Sequence, residues 1–374
     1  MNKYLLLSSF LWALAYLPNK AYAQNDFPVN DSFTYETVTS KIVLPWGIDF
    51  LPDGTMIVTD KSGDLYRLKK DSPLKIKGVP KVLFERQGGL MDVKVHPDYA
   101  QNGWIYFSYS KGGKKDNKGK DLATTAIFRA KLKDDALVDV QEVFEAEPWL
   151  PTRHHYGSRI VFDEDGFMFF SVGERGRRDE NPQNLRNHLG KIHRLNEDGS
   201  VPPDNPFVGS PIAMPSIYSY GHRNPQGLVI SPVDGTIWET EHGPKGGDEL
   251  NIIRKGKNYG WPVISYGINY DGTEFTDITK KDGMEQPVNY WVPSIAPCGT
   301  EWVSSERYGD LKGDILVGSL SFSYLNRCIM EENEVIKEEK LLDGIGRVRV
   351  IKQGPDGFIY IGVENKGVLR LVMK

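Results

Sequence analysis

Cysteine is scarce in this chain. Of 374 residues only Cys298 and Cys328 are cysteines. Two thiols thirty residues apart do not make a disulfide framework, although an oxidising compartment would allow them to pair. No histidine sits at ligand spacing beside them, so they suggest no metal centre. Long apolar runs are scarce too. The one candidate, "YLLLSSFLWALAYL" near the N-terminus, is too short to span a bilayer comfortably. Basic runs interleaved with aromatics are absent, which argues against nucleic acid as a partner. Long helical periodicities are missing as well, which argues against a helical bundle.

What is present begins with an export signal. Lys3 precedes the apolar run, and "NKAYAQ" follows it with small residues at the right spacing. Residues 1–23 read as a signal peptide cleaved after Ala23, with an uncleaved anchor as the alternative. Its removal takes Lys3 and Lys20 and leaves 44 basic against 50 acidic side chains, a net charge of −6. The protein is expected outside the cytoplasm, periplasmic or secreted. The charged, glycine-rich run "KGGKKDNKGKD" (111–121) is expected to be a solvated loop.

Glycine (38) and proline (23) punctuate a repeated unit. A strand-like run, a turn with Asp and Gly, and a second strand rich in β-branched and aromatic residues recur. The copies fall at 48–60, 93–110, 160–173, 228–241, 308–319 and 350–365, the fifth being the weakest. Six copies leave roughly 58 residues each, enough for a four-stranded blade of about 40–50 residues and a loop. Blades set radially close a ring and protect their edges. The expected fold is therefore all-β, a six-bladed β-propeller in one domain over residues 27–374. A sandwich or a solenoid is the alternative, but the gaps are too uneven for a solenoid.

Function on such a scaffold sits in the loops at one end of the channel. Before the third copy stands "HHYGSR" and after it "SVGERG". If the copy is a hairpin, His155 and Glu174 are neighbours. A carboxylate accepting one imidazole N–H makes the other nitrogen a base, or the pair merely staples the turn. "YGHRNPQG" supplies Arg223 and Asn224, readable also as a capped turn. "EHGPKGGDELNIIRKGKNYGWP" offers carbonyls and acids of the kind Ca²⁺ takes, or an ordered surface loop. "GRVRV" puts Arg347 and Arg349 on one strand face, where they repel unless an anion lies between them or surface acids pair them. In "RQGGLMDV", Gln87 stands beside glycines that would let a backbone approach a flat ligand.

These stretches, in this order on six repeats, resemble the soluble PQQ-dependent aldose sugar dehydrogenases, which are six-bladed propellers. The resemblance covers nearly the whole chain after the signal. It implies that His155 is the catalytic base, with Glu174 as its partner. It implies quinone contacts from Gln87, Arg223, Asn224, Tyr270, Arg347 and Arg349. It implies one Ca²⁺ on backbone oxygens of Gly243 and Pro244 and a second on Glu249 and Tyr259. The implied reaction passes the C1 hydride of an aldose to the quinone, with Arg223 stabilising the developing charge, gives a lactone, and sends electrons to an external acceptor. Two positions depart from the family pattern. Ser321 stands where a lysine is common, and His154 where Asp or Asn is common. Losing one charge-assisted contact would cost about 1.5–3 kcal/mol of cofactor affinity. Two other function classes are compatible with the residues: a glycan- or protein-binding propeller without PQQ, and a Ca²⁺-dependent lactonase. The lactonase would need a carboxylate-rich cage at the channel centre.

Overall fold

The computed structural model describes residues 27–69 and 72–374; the expected signal peptide lies outside them. They form six four-stranded antiparallel sheets arranged as a β-propeller. The N-terminal strand is β1 (Phe33–Thr39). Blade one holds β2 (Pro45–Phe50), β3 (Met56–Asp60), β4 (Leu65–Lys69) and β5 (Ser72–Ile76). Blade two holds β6 (Leu90–Val95), β7 (Trp104–Lys115), β8 (Asp121–Lys133) and β9 (Ala136–Glu145). Blade three holds β10 (Ile160–Phe162), β11 (Met168–Val172), β12 (Lys191–Leu195) and β13 (Ile217–Tyr220). Blade four holds β14 (Pro225–Ile230), β15 (Ile237–Glu241), β16 (Asp248–Ile253) and β17 (Asn289–Trp291). Blade five holds β18 (Pro297–Trp302), β19 (Ile315–Ser319), β20 (Leu325–Glu331) and β21 (Glu334–Leu341). In blade six, β22 (Val348–Gln353), β23 (Ile359–Val363) and β24 (Gly367–Met373) are completed by β1, with Phe33 opposite Met373. Pairing the first strand with the last closes the ring and leaves no long open edge there.

The second strands explain the packing. "MIVTD", "MFFSV", "IWETE", "ILVGS" and "IYIGV" are buried along their whole length. Each has a neighbouring blade on both faces, so apolar residues run nearly continuously instead of alternating with polar ones. Polar side chains in these strands are correspondingly costly and need partners. The clusters between blades supply most of the core, for example Ile57, Leu65, Leu90 and Phe107 between blades one and two.

Five of the six sequence copies are the first two strands of a blade. The fifth is not. Residues Glu306–Leu311 form a 3₁₀ turn, and the partner of β19 is β18, upstream of the copy. The Gly-Asp signal there marks a turn entering a strand rather than a hairpin. The run 111–121 also differs from expectation. Strands β7 and β8 extend into it and pair as far as Lys115 with Asp121. Lys111 and Lys114 pair with Glu142 and Glu145, and Lys114 lies 4.2 Å from the Trp149 ring centre. Opposite charges on neighbouring strands turned a polar run into sheet. Cys298 and Cys328 are both buried and do not pair.

Candidate active site at the channel mouth

The backbone of "HHYGSR" is unusual before any chemistry is considered. His155, Gly157 and Ser158 all have positive φ, at 56°, 63° and 90°. A non-glycine residue held there costs on the order of 1–3 kcal/mol, and such strain persists only when its surroundings enforce it. They do. The His155 N–H donates to Gln87 Oε1 at 2.8 Å. The Gly157 N–H donates to Asn224 Oδ1 at 3.1 Å, and its carbonyl accepts from Gln226 Nε2 at 2.8 Å. A Cβ at Gly157 would lie 2.7 Å from the Gly173 nitrogen, so glycine is required. Gln87 and Asn224 thus both hold the histidine segment in place.

His155 Nδ1 lies 2.5 Å from Glu174 Oε1. The hairpin of β10 and β11 brings them together across nineteen residues, as its spacing implied. The other carboxylate oxygen accepts the Arg177 N–H at 2.5 Å, and the Glu174 N–H donates to the Arg223 carbonyl at 2.8 Å. Burial, then the charges of Arg223 and His154, hold the His155 imidazole well below its ordinary pKa. Burial raises the Glu174 carboxyl, against the pull of Arg223. A neutral imidazole donating Nδ1–H to a carboxylate leaves Nε2 as an acceptor. His154 packs edge-on to His155, with ring centres 4.6 Å apart. A cleft of about 440 Å³ opens in front of them, lined also by Arg223, Pro244, Trp261 and Tyr270.

Arg223 is fixed at several points. Its N–H donates to Glu241 Oε2 at 2.5 Å, Nη1 donates to the His242 carbonyl at 3.0 Å, and Nη2 is 3.5 Å from the Tyr270 hydroxyl. Tyr270 itself is 72% exposed, a side chain standing at the cleft rim. The Asn224 N–H shares Glu241 Oε2 at 3.2 Å.

A second cavity of about 250 Å³ lies on the other side of this segment. Gln87, Asn224, Lys61, Arg347 and Arg349 line it, with Glu364. Arg347 and Arg349 do share a face, and the anion between them is the protein's own. Glu364 pairs with Arg347 at 2.8 Å and with Arg349. Burial opposes its ionisation, yet the two arginines hold its pKa down to about 2. Ser321 does not line this cavity; it is exposed, and its N–H donates to the Ile295 carbonyl. The fold itself requires glycine in "QGGL". A Cβ at Gly89 would lie 1.9 Å from the Lys61 carbonyl.

Gly243 and Pro244 stand on the loop leaving β15. The Gly243 N–H donates to Asp248 Oδ1, whose carboxylate also accepts from Ser294 and the Ala296 N–H. Burial pushes Asp248 up to about 6. Glu249 lies opposite Glu241 in the β15–β16 pair, while Asn251 lies opposite Glu239. His222, Glu239 and Glu241 each bring a ligand atom within 4.8 Å of the others. Burial and the neighbouring Glu241 carboxylate raise Glu249 to about 8 and Glu239 well above the usual range. Buried Glu239 Oε1 has no hydrogen-bond partner among the described residues. Crowded, buried, under-satisfied carboxylates fit a hard cation. The Tyr259 phenol is committed elsewhere, donating to the Ile252 carbonyl at 2.5 Å, although its ring stacks on His222 at 4.6 Å.

Sequence reasoning missed Glu239, Glu241, Glu364, Lys61 and Arg159. For the first two a signal existed: "IWETE" carries two acids in a strand buried throughout. Arg159 crosses the channel beneath the site. It donates to the Gln226 and Arg349 carbonyls at 2.7 Å each, and its guanidinium lies 4.1 Å from the Trp46 ring centre.

Residues 42–371 match the glucose/sorbosone dehydrogenase family. The chain belongs to that family. It is 38% identical over 334 residues to the aldose sugar dehydrogenase YliI of Escherichia coli, covering 87% of this chain and 88% of that one. The apo-form crystal structure of the soluble aldose sugar dehydrogenase from Escherichia coli superposes with a TM-score of 0.86 at 35% identity, covering 91% of this chain and all of that one. A PQQ-bound aldose sugar dehydrogenase from Streptomyces coelicolor gives a TM-score of 0.75 at 25% identity, covering 93% and 100%. Membership makes this glucose/sorbosone dehydrogenase homologue a sugar dehydrogenase by family.

Proposed function

We propose that this protein oxidises the anomeric carbon of aldose sugars to lactones, using PQQ and Ca²⁺, and passes the electrons to an external acceptor. The observation that carries this reading is the His155–Glu174 pair opening on a cleft beside a cation-lined cavity. The residues fit a polyanionic cofactor. Four cations, Lys61, Arg86, Arg347 and Arg349, face one carboxylate, Glu364, around the cavity. A relative solved with PQQ supports the same assignment.

PQQ, when bound, supplies the carbonyl that accepts the hydride. Gln87, Asn224, Arg347 and Arg349 would hold it, with Tyr270 and Arg223 toward the cleft. The Gly243 and Pro244 carbonyls would hold one Ca²⁺, and Glu249 and Tyr259, beside the His222, Glu239 and Glu241 group, a second. His155 Nε2 takes the proton from the anomeric hydroxyl. Glu174 keeps the proton of the other ring nitrogen in place and stabilises the imidazolium that forms. Arg223 stands where negative charge develops and, with its backbone fixed on Glu241, needs little reorganisation. The carboxylate-rich cluster stands in blade four, and cations dominate the mouth cavity, which favours this reading over a lactonase. The mature chain, 24–374, with its propeller domain over 27–374, would act in the periplasm or outside the cell after loss of residues 1–23.

The test is a PQQ titration of the purified protein with excess Ca²⁺, followed by dye reduction with a panel of aldoses. Saturable binding and sugar-dependent dye reduction are expected. Absence of binding up to high micromolar PQQ overturns the proposal and leaves a ligand-binding propeller.

A further inference from the structure

The 250 Å³ cavity contains a cation that no sequence motif announced. Lys61 follows the last residue of β3 and is clamped by its backbone. Its N–H donates to the Leu44 carbonyl at 2.9 Å, and its carbonyl accepts the Leu90 N–H at 3.1 Å. Gly89 permits this close approach. The clamp aims the side chain into the cavity that Arg347 and Arg349 enter from blade six.

The charges do not balance there. Arg347 and Arg349 share Glu364. Lys61 has no carboxylate in ion-pair contact among the described residues; Nζ donates to the Arg86 carbonyl at 2.8 Å. A half-buried ammonium with one carbonyl as its hydrogen-bond partner, and the Phe84 ring centre 5.7 Å away, keeps donors for something else. Burial and the nearby Arg349 also lower its pKa, a cost that a bound anion would relieve. Meanwhile Ser321, after β19 in blade five, brings no charge.

We propose that Lys61 is a cofactor-binding residue, its ammonium pairing with a carboxylate of the polyanion held by Arg347 and Arg349. This rests on the quinone reading above. The charge opposite Arg347 and Arg349 thus comes from blade one.

The experiment is equilibrium PQQ binding to the full-length, Ca²⁺-loaded protein, read by absorbance without turnover. Lys61→Met keeps the aliphatic stem and the backbone clamp. It should weaken binding by about ten- to hundredfold, the effect of one lost charge-assisted contact. Lys61→Arg should stay near wild type, and the salt dependence of binding should flatten in Lys61→Met. Apo-protein melting should be unchanged by Lys61→Met; Lys61→Gln serves if it folds poorly. Wild-type binding with unchanged affinity in Lys61→Met and Lys61→Gln overturns the assignment alone. A wild-type protein that does not bind PQQ overturns the quinone reading and this inference with it.

Discussion

Replacing Glu174 by glutamine tests the catalytic pair most sharply. The carboxylate uses both oxygens as acceptors, Oε1 toward His155 Nδ1 and Oε2 toward the Arg177 N–H, each at 2.5 Å. Glutamine offers one acceptor and one donor. If its amide NH₂ faces Arg177, two donors confront each other. If it faces His155, the imidazole must carry its proton on Nε2 and cannot act as a base. Either arrangement forfeits a charge-assisted hydrogen bond, about 1.5–3 kcal/mol, or roughly ten- to hundredfold in rate. The wrong tautomer could extend the loss toward about 10⁴-fold. The assay is single-turnover reduction of PQQ-loaded protein by an aldose, alongside PQQ affinity. Rate should fall and affinity hold, because Glu174 does not line the 250 Å³ cavity proposed for the cofactor. The pH profile adds a second reading. Burial already places the His155 pKa well below its ordinary value, so wild-type activity should rise with pH on an acid limb below about pH 6.5. Removing a nearby negative charge disfavours the imidazolium further, so that limb should move to lower pH in the variant. A variant within twofold of the wild-type rate would refute the pairing as a catalytic device.

Two further expectations follow from buried charge. Chelating Ca²⁺ should lower the melting temperature, and 1,000-fold excess over Kd should restore about 4 kcal/mol; Glu239→Gln should blunt that response in a thermal melt with and without chelator. Arg159→Met should destabilise the ring by about 3–5 kcal/mol in urea titration, because the Asp92 carboxylate and two carbonyls lose their buried donor. A wild-type midpoint would mean that Arg159 does not tie the blades.

Much of the architecture was legible because local physics wrote it. Turn glycines and paired strand runs gave five of the six hairpins, and the fifth copy failed because the same Gly-Asp signal also opens a strand after a 3₁₀ turn. His155 and Glu174 could be joined on paper since one hairpin separates them. Arg347 and Arg349 could be placed on one face by strand period, but Glu364, seventeen residues beyond Arg347, could not be seen as their counter-charge. Lys61 and Gly89 look unremarkable in sequence; only packing of blade one against blade two makes the glycine obligatory and turns the lysine inward. Glu239 and Glu241 are visible as two acids in the strand-like run "IWETE", but only the covering of blade four on both faces buries them together. The sequence by itself determined the repeat, the inner hairpin of five blades and the approach of His155 to Glu174, all set by short-range period and turn chemistry. Tertiary structure alone decided which charges face one another across the channel, because ring closure brings together residues separated by most of the chain.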